Sequence, residues 1–302
     1  MVERGSKARA APAAVLAFLS SERGPYRTFV ERTFAHAQRR AAELGFKLED
    51  FPLNDPTMGA DRLKVVLQSR GIHGVLVGPL WAADSTLPFD VSNFAAVGLG
   101  LSVQTPFIFR VAADHFWEMQ LAFRRMRALG YRRIGFALPR PISERLENRW
   151  LGGFLFAQSA VGIRERTAPW LPSSEEELRT GLRKWIKKER IEAVIHAGPP
   201  ASLAVAPLHV GLVGLSIPPA GGPLAGISQN EARIATAAVE QLVARLHHWT
   251  PGPQELSDLL LVQGTWIDGP SAPGAGTKRP PLPANQAGAG SSRPSHSLSS
   301  LR

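Results

Sequence analysis

The chain contains no cysteine in 302 residues. Disulfides, cysteine-ligated zinc and thiol catalysis are therefore excluded. No apolar run approaches the ~20 residues of a membrane-spanning helix, so no membrane partner is expected. Three signatures of enzyme chemistry are also missing. There is no GxxxxGK[ST] phosphate loop, no GxGxxG after a strand, and no GxSxG nucleophile elbow. Gly98-Leu-Gly100 contains a GxG, but it lacks the third glycine and a following helix and reads as a tight strand exit. His247 and His248 are adjacent in a predicted helix. They point in different directions and cannot form an i, i+4 metal pair. His36, His73, His115, His196 and His209 are isolated and read as surface or satisfied loop histidines. The sequence thus predicts no catalytic residue, no metal site and no cofactor, and the chain is read as a non-enzyme.

Charge is plentiful but unevenly placed. The net charge is +10, yet residues 1–10 contribute +2 and residues 272–302 contribute +4. Between these flanks the basic residues alternate with acids, as in Arg27, Glu31, Arg32, Arg39, Arg40 and Glu43. That pattern is a solvated helix face rather than a phosphate-tracking stripe. Residues 4–21 have the basic start and apolar middle of an export signal. The competing reading, a basic tail over 1–12 and a first strand over Ala14–Leu19, is preferred, because the next helix needs that strand.

Along the chain, apolar runs alternate with amphipathic ones. Strands are predicted at 14–19, 46–53, 74–78, 94–99 and 107–111, with helices at 26–45 and 61–70 between the first three. A long helix over 114–129 follows, with Phe116, Met119, Ala122, Phe123, Met126 and Leu129 at three- and four-residue steps. Gly130 sits where a helix C-cap favours a left-handed residue, and a strand over 134–138 comes next. The remaining expectations are a helix at 144–160, a strand and loop at 163–173, and a helix at 175–189. Strands at 193–196 and 210–215, a helix at 229–248, and terminal strands at 259–263 and 265–267 complete the pattern. Residues 270–302, rich in Pro, Gly and Ser, are expected to be disordered.

The result is two α/β halves, each a parallel sheet flanked by helices. Ligands in such folds sit at the carboxyl ends of strands. Loops 20–26, 54–58, 78–82, 100–106, 139–150, 196–201 and 216–224 would line a crevice between the halves. Tyr26, Trp81, Arg149 and Trp150 fall in or beside these loops. Aromatic planes stack on rings, and an arginine fork binds hydroxyl pairs or carboxylates. Each aromatic has a second reading. Trp150 fits the apolar face of its helix as core, Trp81 fits as a strand cap, and Tyr26 fits as a surface aromatic.

Five phrases, in order, resemble the LacI/GalR family of sugar-responsive repressors. ALGYRRIGFA at 128–137 resembles its LGHRRIGFI-type segment, and Asp114 in VAADHF matches its valine-x-x-aspartate. RWLGGF at 149–154 resembles RxxGF, and VGLVGLS at 210–216 resembles VxVVGFD. AGISQNEARIATAAVEQLV at 225–243, including Gln229, resembles TTIxQPxxxxGxxAxxxLL. The resemblance spans about 13–269. It implies a two-lobed, periplasmic-binding-protein-like type I fold with three crossovers. The N-terminal lobe would be 13–113 plus 228–249, and the C-terminal lobe 114–227 plus 250–269. It also implies a cytoplasmic regulator of transcription that senses a small-molecule, carbohydrate-type effector and forms a homodimer. The crevice loops and the resemblance together give the candidate effector-binding residues Ser21, Tyr26, Trp81, Asp114, Arg149, Trp150, Ser216 and Gln229. The sequence departs from the family pattern in several places. Only about 13 residues precede the first strand, where the family has a helix-turn-helix and hinge helix, so DNA would be a partner only if such a head is supplied upstream. Trp150 falls on the effector arginine of RxxGF, with Arg149 one residue early. Ser216 replaces the aspartate of VVGFD, and Tyr131 replaces the histidine of LGH. The alternative function is an exported solute-binding protein serving a transporter.

Overall fold

The computed structural model describes residues 14–21, 27–55, 57–80, 86–198, 203, 205–248, 252 and 257–282. The first half begins with β1 (Ala14–Ser20), α1 (Arg27–Glu43), β2 (Phe46–Pro52), α2 (Ala60–Ser69) and β3 (Gly74–Val77). β4 (Ala95–Leu99) and β5 (Phe109–Ala113) follow without a helix between them. The second half has α3 (His115–Ala128), β6 (Ile134–Phe136), α4 (Arg140–Arg145), α5 (Arg149–Ser159), α6 (Glu175–Glu189), β7 (Ala193–His196), β8 (Gly211–Gly214) and β9 (Ala225–Ser228). The chain closes with α7 (Glu231–His247), β10 (Leu259–Val262) and β11 (Thr265–Ile267).

These strands form two sheets. The first has six strands in the order β10-β5-β4-β3-β1-β2, and the second has five in the order β11-β9-β8-β7-β6. All described pairings are parallel except β11 with β9. Each sheet is covered on both faces, which is why its strands read as continuous apolar runs. The two-residue period of β1 shows this. Leu16 and Phe18 join the core under α1 and α7, while Ala17 and Leu19 join the core under α2. In the second lobe α3 and α5 cover one face and α6 covers the other. The α3–α5 approach is close because Gly153 has no side chain. A Cβ there would meet the Phe116 carbonyl oxygen at 2.7 Å.

The chain passes between sheets three times: from β5 into α3, from β9 into α7, and from β10 into β11. The architecture is thus two lobes of parallel sheet flanked by helices, joined by three crossovers.

Several expectations need correction. β10 does not belong with the C-terminal lobe. It pairs in parallel with β5, Leu260 opposite Val111, so the chain re-enters the second lobe only beyond Val262. Residues 270–282 are not a loose tail. Ser271 and Arg279 are buried against the second lobe and bonded to its backbone. No strand forms over 163–173, where only a single bridge joins Trp170 to Ala137. The predicted helix 144–160 is two helices, broken where Glu147 and Asn148 adopt φ of +54° and +53°. Phe116 is not on the buried stripe of α3. It is 38% exposed, and the buried positions are His115, Glu118, Met119, Ala122, Phe123 and Met126.

Candidate functional site

A cavity of about 90 Å³ lies between the lobes at the carboxyl ends of the strands. The first lobe contributes Pro79 after β3, Gly100 to Ser102 after β4, and Ala112 and Ala113 at the end of β5. The second contributes Ala197 after β7, Ser216 after β8, and Arg145, Leu146 and Trp150 around the α4–α5 break. Phe29 and Thr33 of α1, His115 of α3, and Gln229 and Ile234 at the second crossover complete most of the wall. Strand ends converge here because a parallel sheet directs all its carboxyl ends to one edge.

Behind Trp150 and Gln229 of the cavity wall lies a buried carboxyl group. Glu118, in the first turn of α3, has no solvent exposure. Its Oε2 accepts from Trp150 Nε1 and from Gln229 Nε2, each at 3.3 Å. Its Oε1 has no partner among the described residues. Burial pushes its pKa up to about 8, against the two hydrogen bonds that favour the charged form. Glu118 also lies beside all three crossovers. It starts the helix after the first, it bonds Gln229 of the second, and it crowds Gly264 of the third, where a Cβ would meet Oε1 at 2.8 Å.

His115 lies one turn before Met119 on the same stripe. It is buried, and its ring meets Trp150 edge-on at 4.5 Å between centroids. Burial first, and the charge of Arg149 and Arg145 after it, lower its pKa to about 4, so the ring is neutral. A backbone hydrogen bond to Ala113 opposes that shift, and His115 is thus buried rather than on the surface. His196 is also buried rather than on the surface, with Nδ1 2.8 Å from the Ala137 carbonyl oxygen.

Of the eight residues implied as effector-binding, the structure brings three to the cavity: Trp150, Ser216 and Gln229. The other described ones are engaged elsewhere. Asp114 caps α3, accepting from the Trp117 backbone N–H at 3.1 Å. Arg149 is paired with Glu147, which also takes Arg110 at 2.7 Å. Ser21 Oγ accepts from Asn54 Nδ2 at 3.3 Å. Tyr26 and Trp81 lie outside the described residues. His115, Glu118, Ser102 and Arg145 were missed. For His115 and Glu118 a signal existed. Stepping back from Met119 and Ala122 by three or four residues lands on both, so two polar groups continue an apolar stripe. Among the described residues no cluster could hold a metal ion, and no helix is long and apolar enough to cross a membrane.

No protein-family model and no curated protein matches this sequence. Solved structures do match its fold. A regulatory protein of the LacI family from Chloroflexus aggregans superposes with a TM-score of 0.63 at 17% identity, covering 84% of this chain and 97% of that one. The transcriptional regulator CelR in complex with cellobiose gives 0.62 at 19%, covering 85% of each chain. A LacI transcriptional regulator from Lactobacillus brevis gives 0.60 at 16%, covering 84% of this chain and all of that one. At these identities the likeness establishes the fold: that of the LacI-type, periplasmic-binding-protein-like regulators.

Proposed function

We propose that this chain is the small-molecule-sensing domain of a LacI-type transcriptional regulator. The observation that carries the reading is the cavity between two lobes whose crossovers pack around Glu118. A ligand contacting both walls binds the closed arrangement better than the open one, and so shifts the population toward closure. The regulators that share the fold favour this reading over a transporter's binding protein, and the cellobiose complex among them supports an effector of carbohydrate type. The same likeness supports a non-enzymatic role and action in the cytoplasm. A homodimer would pass closure to DNA-reading heads supplied upstream of the sensing domain.

The test pairs thermal melting with small-angle scattering across a panel of sugars, deoxysugars and ring alcohols. A true effector raises the melting temperature in a saturable way and lowers the radius of gyration. Ligands that stabilise the protein without compacting it would count against sensing by closure.

A further inference from the structure

An ion pair joins the lobes beside the cavity, next to its lining residues Leu101 and Leu146. Arg110 belongs to β5 of the first lobe, and Glu147 to the break between α4 and α5 of the second. Arg110 Nη1 donates to Glu147 Oε1 at 2.7 Å. The two side chains are only 12% and 29% exposed, so salt screens this pair less than one on the open surface. Other ion pairs, such as Arg32 with Glu231 and Arg127 with Glu165, stay within one lobe.

Each partner is set in place by its own lobe. The Arg110 guanidinium also donates to the Leu101 carbonyl oxygen at 3.3 Å and to Ser257 Oγ at 3.2 Å. Glu147 Oε2 accepts from Arg149 at 2.9 Å. Glu147 reaches the first lobe from a strained turn. It and Asn148 both adopt the left-handed conformation, which asparagine tolerates and glutamate disfavours. Such strain persists where the surroundings hold it. The extra bonds bear on motion of the lobes. A part-buried charge stripped of its partner is costly. Here neither charge is stripped when the lobes part, because Arg110 keeps Leu101 and Ser257 and Glu147 keeps Arg149. The pair can therefore break and re-form at low cost.

We infer that Arg110 and Glu147 form a reversible latch between the lobes, which favours the closed arrangement before any ligand arrives. The inference goes beyond the sensing reading, because it concerns the resting balance of the lobes and holds whatever the cleft binds. For a sensor, the latch sets how much of the closing is left for a ligand to drive.

The experiment uses the lack of cysteine. Gln68→Cys in α2 and Lys184→Cys in α6 place one exposed thiol on each lobe. Spin labels on both report the inter-lobe distance distribution of the full, unliganded chain by pulsed dipolar spectroscopy. The labelled parent is expected to show a predominant closed distance. Glu147→Gln and Arg110→Gln should each raise the ratio of open to closed by at least about threefold. The double variant should go no further than the larger single effect, because the two residues act as one pair. Arg149→Gln keeps the cross-lobe bond and should not raise the open fraction. Salt at about 1 M should open the parent and have little further effect on Glu147→Gln. Should Arg110→Gln disturb β5, Glu147→Gln and the salt titration still decide. An unchanged distribution in Glu147→Gln would overturn the latch. So would an Arg149→Gln variant that opens as far as Glu147→Gln, since the turn rather than the cross-lobe pair would then set the balance. The sensing reading is judged separately, by the ligand-driven compaction described above.

Discussion

Trp150 Nε1 and Glu118 Oε2 are 3.3 Å apart, both on buried side chains. The tryptophan starts α5 and the glutamate starts α3, so the bond ties the two helices that cover one face of the second sheet. Gln229, from the second crossover, shares the same oxygen. A carboxyl group in this position has consequences for stability against pH.

Burial raises the Glu118 pKa from 4.5 in the unfolded chain to about 8 in the folded one. Between those values the native state holds a proton that the unfolded state has released. Stability therefore falls as pH rises through this window, by at most about 1.4 kcal/mol per unit. His115 acts with the opposite sign lower down. Its folded pKa of about 4 lies below its ordinary 6.5, so it costs stability as pH falls through that interval. The two slopes oppose each other below pH 6.5, which leaves pH 6.5 to 8 as the window for Glu118 alone. Urea unfolding should show a loss of up to about 2 kcal/mol across it, and Glu118→Gln should flatten the slope. An unchanged slope in the variant would assign the effect to another group.

Gly264 is expected to resist replacement. A Cβ there would lie 2.6 Å from Ile227 Cγ2 and 2.8 Å from both the Ser228 carbonyl oxygen and Glu118 Oε1. The Ser228 carbonyl is backbone and cannot move without shifting the β9–α7 crossover. Gly264→Ala should cost roughly 1–3 kcal/mol, read from the denaturant midpoint. A midpoint matching the wild type would show that this crossover gives way easily.

Much of the fold is legible because its signals are local. The period of two in β1, the stripe Met119, Ala122, Phe123 and Met126, and the turn at Gly130 with φ of +90° each declare an element within a few residues. The placement of β10 is not local. Leu259 to Val262 read as an apolar strand, but nothing within them says that their partner is β5, more than a hundred residues earlier. The order of 270–282 is hidden for the same reason, since Ser271 and Arg279 bind backbone groups of β8 and its approach. At the site, the family phrases marked Trp150, Ser216 and Gln229, whereas Asp114 and Arg149 proved to be engaged by the Trp117 N–H and by Glu147. Glu118 and His115 are hard to see in the sequence because a polar residue on a helix ordinarily faces water.

Ser271 gives a compact test of the ordered C-terminal segment. Its Oγ donates to the Leu212 carbonyl oxygen at 2.7 Å and accepts from the Ala225 N–H at 2.8 Å, while its own carbonyl accepts from the Leu212 N–H. Ser271→Ala leaves a buried acceptor and a buried donor without that hydroxyl. The expected cost is about 1–3 kcal/mol, with faster hydrogen exchange at Ala225. Wild-type exchange at Ala225 would mean that the segment only rests on the sheet.

The bond between Trp150 and Glu118 can be weighed directly with a double-mutant cycle of Trp150→Phe and Glu118→Gln. Phenylalanine keeps an aromatic edge near His115 but removes the donor. Glutamine keeps an acceptor oxygen and cannot ionise. At pH 6 the carboxyl is protonated, and glutamine replaces it as a neutral acceptor, so the coupling should be near zero. Above pH 8 the wild-type oxygen becomes charged, and a bond to a charged group is worth about 1.5–3 kcal/mol. The coupling should therefore grow with pH while total stability falls, since the indole N–H then holds a buried charge that the fold disfavours. A coupling that stays constant from pH 6 to 9 would show that Glu118 does not ionise in the folded protein over that range.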